Sequence, residues 1–222
     1  LKLFFKYIDN YALKTVNKVV VNSDDLKNYL INNRNITSNK INVINHFSTS
    51  IKSNYVPNFE LNNIFYAGNM GRPQNLSAFL RYFQKHFPSD WKLDIYGAGQ
   101  EFNNLSEFSK DNIRIYNYLE RKELENLTKE IPFALICLDY EITFEGFPGK
   151  TFDYLNMNKV LINFSNPNSA VSKLIDKHGL GFNIDLENPE SLRVKLEDMK
   201  NSDEISKILE NIKYFQQSVS NK

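Results

Sequence analysis

Asn63-Ile-Phe-Tyr-Ala-Gly-Asn-Met-Gly-Arg-Pro73 begins as a short apolar run and ends on two glycines, an arginine and a proline. A run this brief and this apolar reads as a strand buried on both faces, here Ile64 to Ala67. Gly68 to Pro73 reads as the loop that leaves it. Pro73 suits the first turn of a helix, where its missing N–H has no intrahelical partner. The spacing then predicts a helix from Gln74 to Phe87, with Leu76, Phe79, Leu80, Phe83 and Phe87 on one face.

The same cadence repeats downstream. Trp91 to Tyr96 reads as a strand, followed by Gly97-Ala-Gly99 and a helix from Gln100 to Phe108. Ile113 to Tyr116 is a strand before a helix from Arg121 to Lys129. Phe133 to Leu138 is a strand, and a helix-like run from Thr151 to Asn156 comes later. Lys159 to Phe164 is a strand before a helix from Ser169 to Lys177, and Gly181 to Ile184 is a last short strand. Two helices, Pro189 to Met199 and Asp203 to Gln217, close the chain. Strands alternating with helices predict an α/β fold, a Rossmann-like parallel sheet with helices on both faces. Right-handed crossovers gather the strand-to-helix loops at one sheet edge, where open parallel sheets bind ligands.

Upstream, Leu3 to Val16 has helical spacing and Lys18 to Val21 reads as a short strand. Ser23 is placed to cap a helix from Asp24 to Ile31, whose first-turn acids suit the helix dipole. Ile41 to Ile44 is a further strand, and Ser48 to Asn62, polar and holding Pro57, reads as a linker. The expected division is a first unit over 1–47, the linker over 48–62, the main domain over 63–200 and a C-terminal helix over 201–222.

The chain has 222 residues, enough to bury a substantial core. A formal net charge of +1 gives no broad positive field and argues against nucleic acid. No apolar stretch approaches the roughly 18–20 residues of a membrane span. The sole cysteine, Cys137, sits in a strand-like run and reads as a buried thiol. His46, His86 and His178 are scattered, without metal-ligand spacing, and neither a G-x-S-x-G elbow nor a P-loop is present. Rich in Asn, Lys and Ile, the composition suggests an AT-rich bacterial genome, and the start at Leu1 suggests a fragment or a processed chain.

Three loops then combine glycines with polar groups at the same sheet edge: 68–73, 97–100 and 145–151. Glycines let backbone approach a ligand, and helix starts offer free amides that favour phosphate. Gly97-Ala-Gly99 lacks the third glycine of a dinucleotide fingerprint, Phe102 standing in that slot, and is also explained as a tight turn. The richest segment is Glu145-Gly-Phe-Pro-Gly-Lys-Thr-Phe-Asp153. Glu145 on the loop, Asp153 about one turn into a helix and Lys150 between them could hold a polyol joined to a phosphate. Asp139-Tyr-Glu141 could line the crevice or form a surface turn, and Glu120-Arg-Lys-Glu123 reads as the polar start of a helix.

This combination resembles the donor-binding half of family 4 glycosyltransferases, retaining enzymes of the GT-B fold with an E-x7-E motif. Glu145 to Asp153 keeps the spacing with Asp as the second acid, and Pro148-Gly-Lys-Thr-Phe-Asp-Tyr-Leu155 looks like a P-S-K-x-x-E-Y-L variant of surface-polysaccharide transferases. Ile64 to Gly71, Asp94-Ile-Tyr-Gly-Ala-Gly99 and Asn112 to Leu119 resemble the family's other strand-and-loop segments. The resemblance implies that Glu145 contacts the donor sugar as the catalytic residue and that Asp153 binds the ribose. It implies a diphosphate site at Arg72 and Lys150, with Gly71, Gly149 and Lys150 amides, and a base-binding site at the backbone of Tyr118 and Leu119. Gly68, Gly97, Gly99 and Thr151 complete the implied donor-binding set.

The activity so implied is hexosyl transfer, with retention, from a nucleotide-sugar to a saccharide or lipid-linked acceptor in bacterial surface polysaccharide synthesis. No cofactor or metal is called for, the nucleotide-sugar being a substrate. The implied location is cytoplasmic, at or near the inner face of the membrane, with any membrane contact made through the rest of an N-terminal acceptor domain of which 1–47 is the tail. The isolated chain is then expected to bind donor without transferring. A non-catalytic nucleotide- or sugar-binding module, or a GT-B sugar-nucleotide epimerase, remains an alternative.

Overall fold

A computed structural model describes residues 2–44, 53–142, 146–200 and 203–220. Its main sheet is parallel throughout, with β3 (Asn63–Asn69), β4 (Lys92–Ala98), β5 (Ile113–Tyr116), β6 (Phe133–Cys137), β7 (Val160–Phe164) and β8 (Gly181–Asn183) in the order β5-β4-β3-β6-β7-β8. The direction of winding reverses at β3, so the first and fourth strands of the sheet lie side by side there. The α/β Rossmann-like expectation holds, and the crevice at the β3–β6 boundary is where such sheets take ligands.

The helices between these strands are α3 (Leu76–His86), α4 (Phe102–Ser106), α5 (Arg121–Thr128), α6 (Gly149–Asn156) and α7 (Ala170–His178). Two more, α8 (Ser191–Lys200) and α9 (Glu204–Ser220), follow β8. Alternate side chains of each strand face opposite layers. Phe79 on α3 meets Phe164 edge-on, and Tyr154 on α6 meets Phe65 edge-on, so helices cover both faces. Strands β6 and β7 are buried at every position, as their unbroken apolar runs require.

Several helix starts differ from the sequence expectation by one or two residues, and two of them have a local cause in the structure. Arg72–Gln74 forms a single 3-10 turn, and Asn75 at φ 45° breaks it, so α3 begins at Leu76 rather than Gln74. The Gln74 side chain accepts from the Gly71 N–H at 3.1 Å and closes the turn, and asparagine tolerates the left-handed region better than most residues. Conversely, α6 begins at Gly149, two residues before Thr151, because the Thr151 N–H already donates to the Pro148 carbonyl at 2.9 Å.

Strand β3 pairs with β4 along its whole length but with β6 only at Ile64 and Phe65. Beyond Phe65 the two strands part. The Tyr154 hydroxyl enters that gap, donating to the Ala67 carbonyl at 3.0 Å and accepting from the Ala67 N–H at 2.7 Å. One side chain thus does there what a neighbouring strand does elsewhere. Lys159 makes a comparable tie: its buried ammonium donates to the carbonyls of Thr128, Lys129 and Ile131 at 2.7, 2.7 and 2.8 Å. Burial pulls its pKa down to about 7, while three acceptors at a helix C-terminus favour the charged form.

The first unit pairs β1 (Val19–Val21) in parallel with β2 (Ile41–Val43), beside α1 (Lys2–Thr15) and α2 (Asp24–Arg34). Val21, Leu30, Ile36 and Ile41 form its own small core. Ser23 caps α2 as expected, accepting from the Leu26 N–H at 3.0 Å. Contacts that join this unit to the main domain include Lys173 with Asp25 at 3.0 Å, and the Asn22 amide donating to the Phe147 carbonyl at 3.2 Å. Helix α9 packs on α6 and α7, with the Gln216 amide donating to the Leu155 carbonyl at 2.6 Å.

Tyr154→Phe keeps the ring but strips both Ala67 backbone groups of their partner. It should lower unfolding free energy by about 2–3 kcal/mol, read from urea denaturation, since each orphaned buried group costs about 1–3 kcal/mol.

Candidate functional site

The crevice opens into a cavity of about 210 Å³. Its floor is Ala67 and Gly68 at the end of β3, and Tyr96 of β4 adds one side. Tyr118 and Leu119 reach it from the loop after β5, Arg121 and Glu125 from the start of α5. Helix α6 supplies the opposite wall with Lys150, Asp153 and Tyr154. Positions three and four apart on a helix share a face, which is why Lys150, Asp153 and Tyr154 line one cavity.

Lys150 is the unusual member. Its ammonium lies 3.7 Å from the centre of the Tyr66 ring, a cation–π contact. Among the described residues it donates no hydrogen bond and pairs with no carboxylate. Burial pulls its pKa down to about 7, with Cys137 acting slightly in the opposite direction. Gly68, at φ 139°, makes the room: a Cβ there would come within 2.7 Å of the Lys150 nitrogen. Tyr66 is held by its hydroxyl, which donates to the Asn69 carbonyl at 2.6 Å, and burial raises its pKa strongly.

Asp153 stands one turn further along α6. Arg121 donates to it at 2.9 Å and also to Glu125 at 3.1 Å, so a guanidinium bridges two carboxylates on the cavity wall. Tyr96 stacks on Tyr116 with ring centres 5.0 Å apart, and burial pushes its phenol up to about 12. Tyr118 is exposed, 63% accessible, which leaves its ring at the mouth.

Of the residues expected to meet a donor, Gly68, Tyr118, Leu119, Lys150 and Asp153 line this one cavity. Gly71 and Arg72 line a second depression with Glu101 and Asp139. The Arg72 side chain is 86% exposed and only loosely paired with Glu101 at 3.9 Å, so the two cations expected together do not share a cavity. Gly97 and Gly99 line neither. A Cβ at Gly97 would lie 1.9 Å from the Gly68 carbonyl oxygen, and one at Gly99 2.3 Å from that of Met70, so close backbone approach explains both glycines.

Gly149 and Thr151 lie in the first turn of α6, and the Thr151 hydroxyl is buried with no hydrogen-bond partner among the described residues. Glu145 lies outside the described residues. Asp139 forms a turn, accepting from the Glu141 N–H at 3.0 Å and from the Asn75 amide at 3.1 Å, and it also borders the second depression. Sequence reading missed Arg121 as a site residue, although it stands two positions past Leu119. It also missed Asn22, for which the sequence offers no signal.

Strand order and crevice together give the chain the fold of GT-B glycosyltransferases. No family profile matches the sequence, and no curated protein matches it. Among solved structures, a variant of TarM from S. aureus, in complex with Fondaparinux, alpha-GlcNAc-glycerol and UDP, is similar at TM-score 0.71 and 17% identity, over 97% of this chain and 44% of that one. A glycosyltransferase from Rickettsia africae is similar at TM-score 0.67 and 18% identity, over 100% and 62%. Anabaena HepE, in complex with UDP and glucose, is similar at TM-score 0.69 and 11% identity, over 97% and 62%. The chain spans about half to three-fifths of the length of these structures. No helix among the described residues is long and apolar enough to cross a membrane.

The segment directly after Glu145 is held from the first unit. A Cβ on Gly146 would fall 1.6 Å from the Asn22 side-chain oxygen, beside the Asn22–Phe147 hydrogen bond. Gly146→Ala should therefore lower stability by about 1 kcal/mol through loss of that bond. In the Asn22→Ala background the Gly146→Ala penalty should largely vanish, a non-additivity read from a double-mutant cycle followed by urea unfolding. Additive effects would show that the two residues do not press on each other.

Proposed function

We propose that this chain is the donor-binding part of a retaining glycosyltransferase of the family 4 type, with a nucleoside-diphosphate sugar as donor. The observation that carries the reading is Lys150: a half-buried ammonium with no carboxylate partner among the described residues, one helical turn from Asp153, in the crevice at the sheet's switch point. A buried cation without a partner is unfavourable unless an anion arrives. The first turn of α6 presents its leading amides, at Gly149 and Lys150, at the same end of the helix, and the Thr151 hydroxyl, without a hydrogen-bond partner among the described residues, lies in that turn. The UDP complexes of TarM and HepE lend support through the shared fold.

In this reading Lys150 and the α6 amides hold the diphosphate, Asp153 holds the ribose, and the backbone at Tyr118 and Leu119 meets the base. Glu145 contacts the sugar. As the bond from the anomeric carbon to the phosphate oxygen breaks, its electron pair stays on the diphosphate. The acceptor hydroxyl oxygen bonds the anomeric carbon and gives up its proton to the leaving phosphate oxygen. Fixed positive groups at the leaving oxygens stabilise the charge that develops there; one such donor is worth about 2.7–4 kcal/mol in other enzymes. Arg72, on the neighbouring depression, is assigned to the outer end of the diphosphate. The acceptor is a saccharide or lipid-linked saccharide of bacterial surface polysaccharide synthesis, and no metal takes part.

The lowered pKa gives the reading a distinctive test. Free Lys150 loses its proton above about pH 7, and a bound diphosphate raises the pKa again, so binding at pH 8 takes up close to one proton. Affinity should be level below about pH 7 and fall as pH rises above it. Calorimetry in buffers of different ionisation enthalpy measures the uptake. Lys150→Met should abolish the uptake and weaken binding by about 1.5–3 kcal/mol, while leaving the fold at least as stable, because a desolvated charge has been removed. In the apo protein the sign for stability follows from the same shift. Between about pH 7 and 10.5 the unfolded chain holds the extra proton, so this lysine's contribution to stability rises with pH across that window. Absence of binding by any nucleoside diphosphate would refute the reading.

A further inference from the structure

We infer that Arg121, together with Asp153, forms the ribose-recognition pair, so that this site discriminates ribonucleotides from deoxyribonucleotides through a guanidinium as well as a carboxylate. The inference rests on the donor-binding reading above and concerns how that site reads its nucleoside. Arg121 is the first residue of α5 and follows directly on the loop that brings Tyr118 and Leu119 to the cavity. Its Nη2 donates to Asp153 at 2.9 Å and its Nε to Glu125 at 3.1 Å. A guanidinium carries five N–H groups in a rigid plane. Those not directed at the two carboxylates donate to nothing among the described residues, and the side chain lines the cavity.

Two tethers fix the plane of the fork. An ordinary exposed i,i+4 pair on a helix has one, and contributes little. The second tether crosses from α5 to α6 and places a donor beside an acceptor at the cavity wall. A cis-diol matches such a pair: one hydroxyl donates to the Asp153 carboxylate, and a hydroxyl oxygen accepts from Arg121. Asp153 is a short acid, and the guanidinium extends the recognition surface beyond its carboxylate. A 2′-deoxynucleotide loses one member of that match and leaves a desolvated polar group behind.

Calorimetry with UDP, GDP, ADP and CDP, then with the 2′-deoxy counterpart of the tightest binder, tests this. Wild-type protein should prefer the ribonucleotide by about tenfold, the ratio expected for one charge-assisted hydrogen bond. Arg121→Ala should weaken the ribonucleotide by about tenfold, barely affect the deoxynucleotide, and bring the ratio near one. Arg121→Lys keeps the charge without the fork and should also lose most of the ratio. It carries the test if the alanine variant fails to fold, as judged by thermal unfolding. Glu125→Gln loosens one tether and should reduce the ratio less. A ribose-to-deoxyribose ratio unchanged in Arg121→Ala or Arg121→Lys overturns the inference while leaving the donor reading intact. Wild-type protein that binds no nucleoside diphosphate overturns both.

Discussion

Lys150 carries its ammonium into the β3–α6 crevice with an aromatic ring beneath it and, among the described residues, no carboxylate beside it. Desolvation on this scale sets the conditions for its neighbours. Position 68 suits glycine because its φ is 139°, and a Cβ there would also push the lysine nitrogen, 2.7 Å away, out of its place. Tyr66 must present its face, and its hydroxyl is pinned to Asn69 to keep it there. In the proposed reading this crevice favours negative charge: the protein bears the cost of desolvating the ammonium in advance, and an anion relieves it. Stability and affinity then pull in opposite directions at one residue, as is common where a site is prepared for a ligand.

The rest of the main domain holds that lysine in register. Helix α6 is fastened to β3 by Tyr154, from outside by α9 through Gln216, and at its entry by the Asn22 contact to Phe147. On the other side of the cavity, Lys159 gathers three carbonyls at the end of α5 and ties that helix to the start of β7. Both walls are therefore anchored by buried polar groups with specific partners. Such groups tolerate few alternative geometries, whereas purely apolar packing tolerates many.

Most of the fold was legible in the sequence, because strand and helix periods are local properties. Every strand of the main sheet coincides with a predicted apolar run, and strict alternation implied parallel pairing. The errors came from single residues. Asn75 adopts a left-handed turn that no periodicity encodes, so α3 starts two residues late relative to expectation. The site was legible in part. Its loops, Lys150 and Asp153 followed from glycines and charges near strand ends. The desolvation of Lys150, the Arg121–Asp153 pairing and the separation of Arg72 into another depression depend on which helices lean together, and no local pattern carries that. Gly97 and Gly99, which the sequence explains as a tight turn or as a phosphate cradle, have in space the backbone of Gly68 and Met70 close against them.

Lys150 and Asp153 are three residues apart on a single short helix, and an α-helix rises about 1.5 Å per residue. Their axial separation is thus fixed at about 4.5 Å by backbone geometry alone. Helix α6 acts as a gauge. In the proposed reading, a ligand that engages both groups spans an interval set by that rise together with the reach of the two side chains, so the pitch of the helix limits where its anionic centre and its diol can sit.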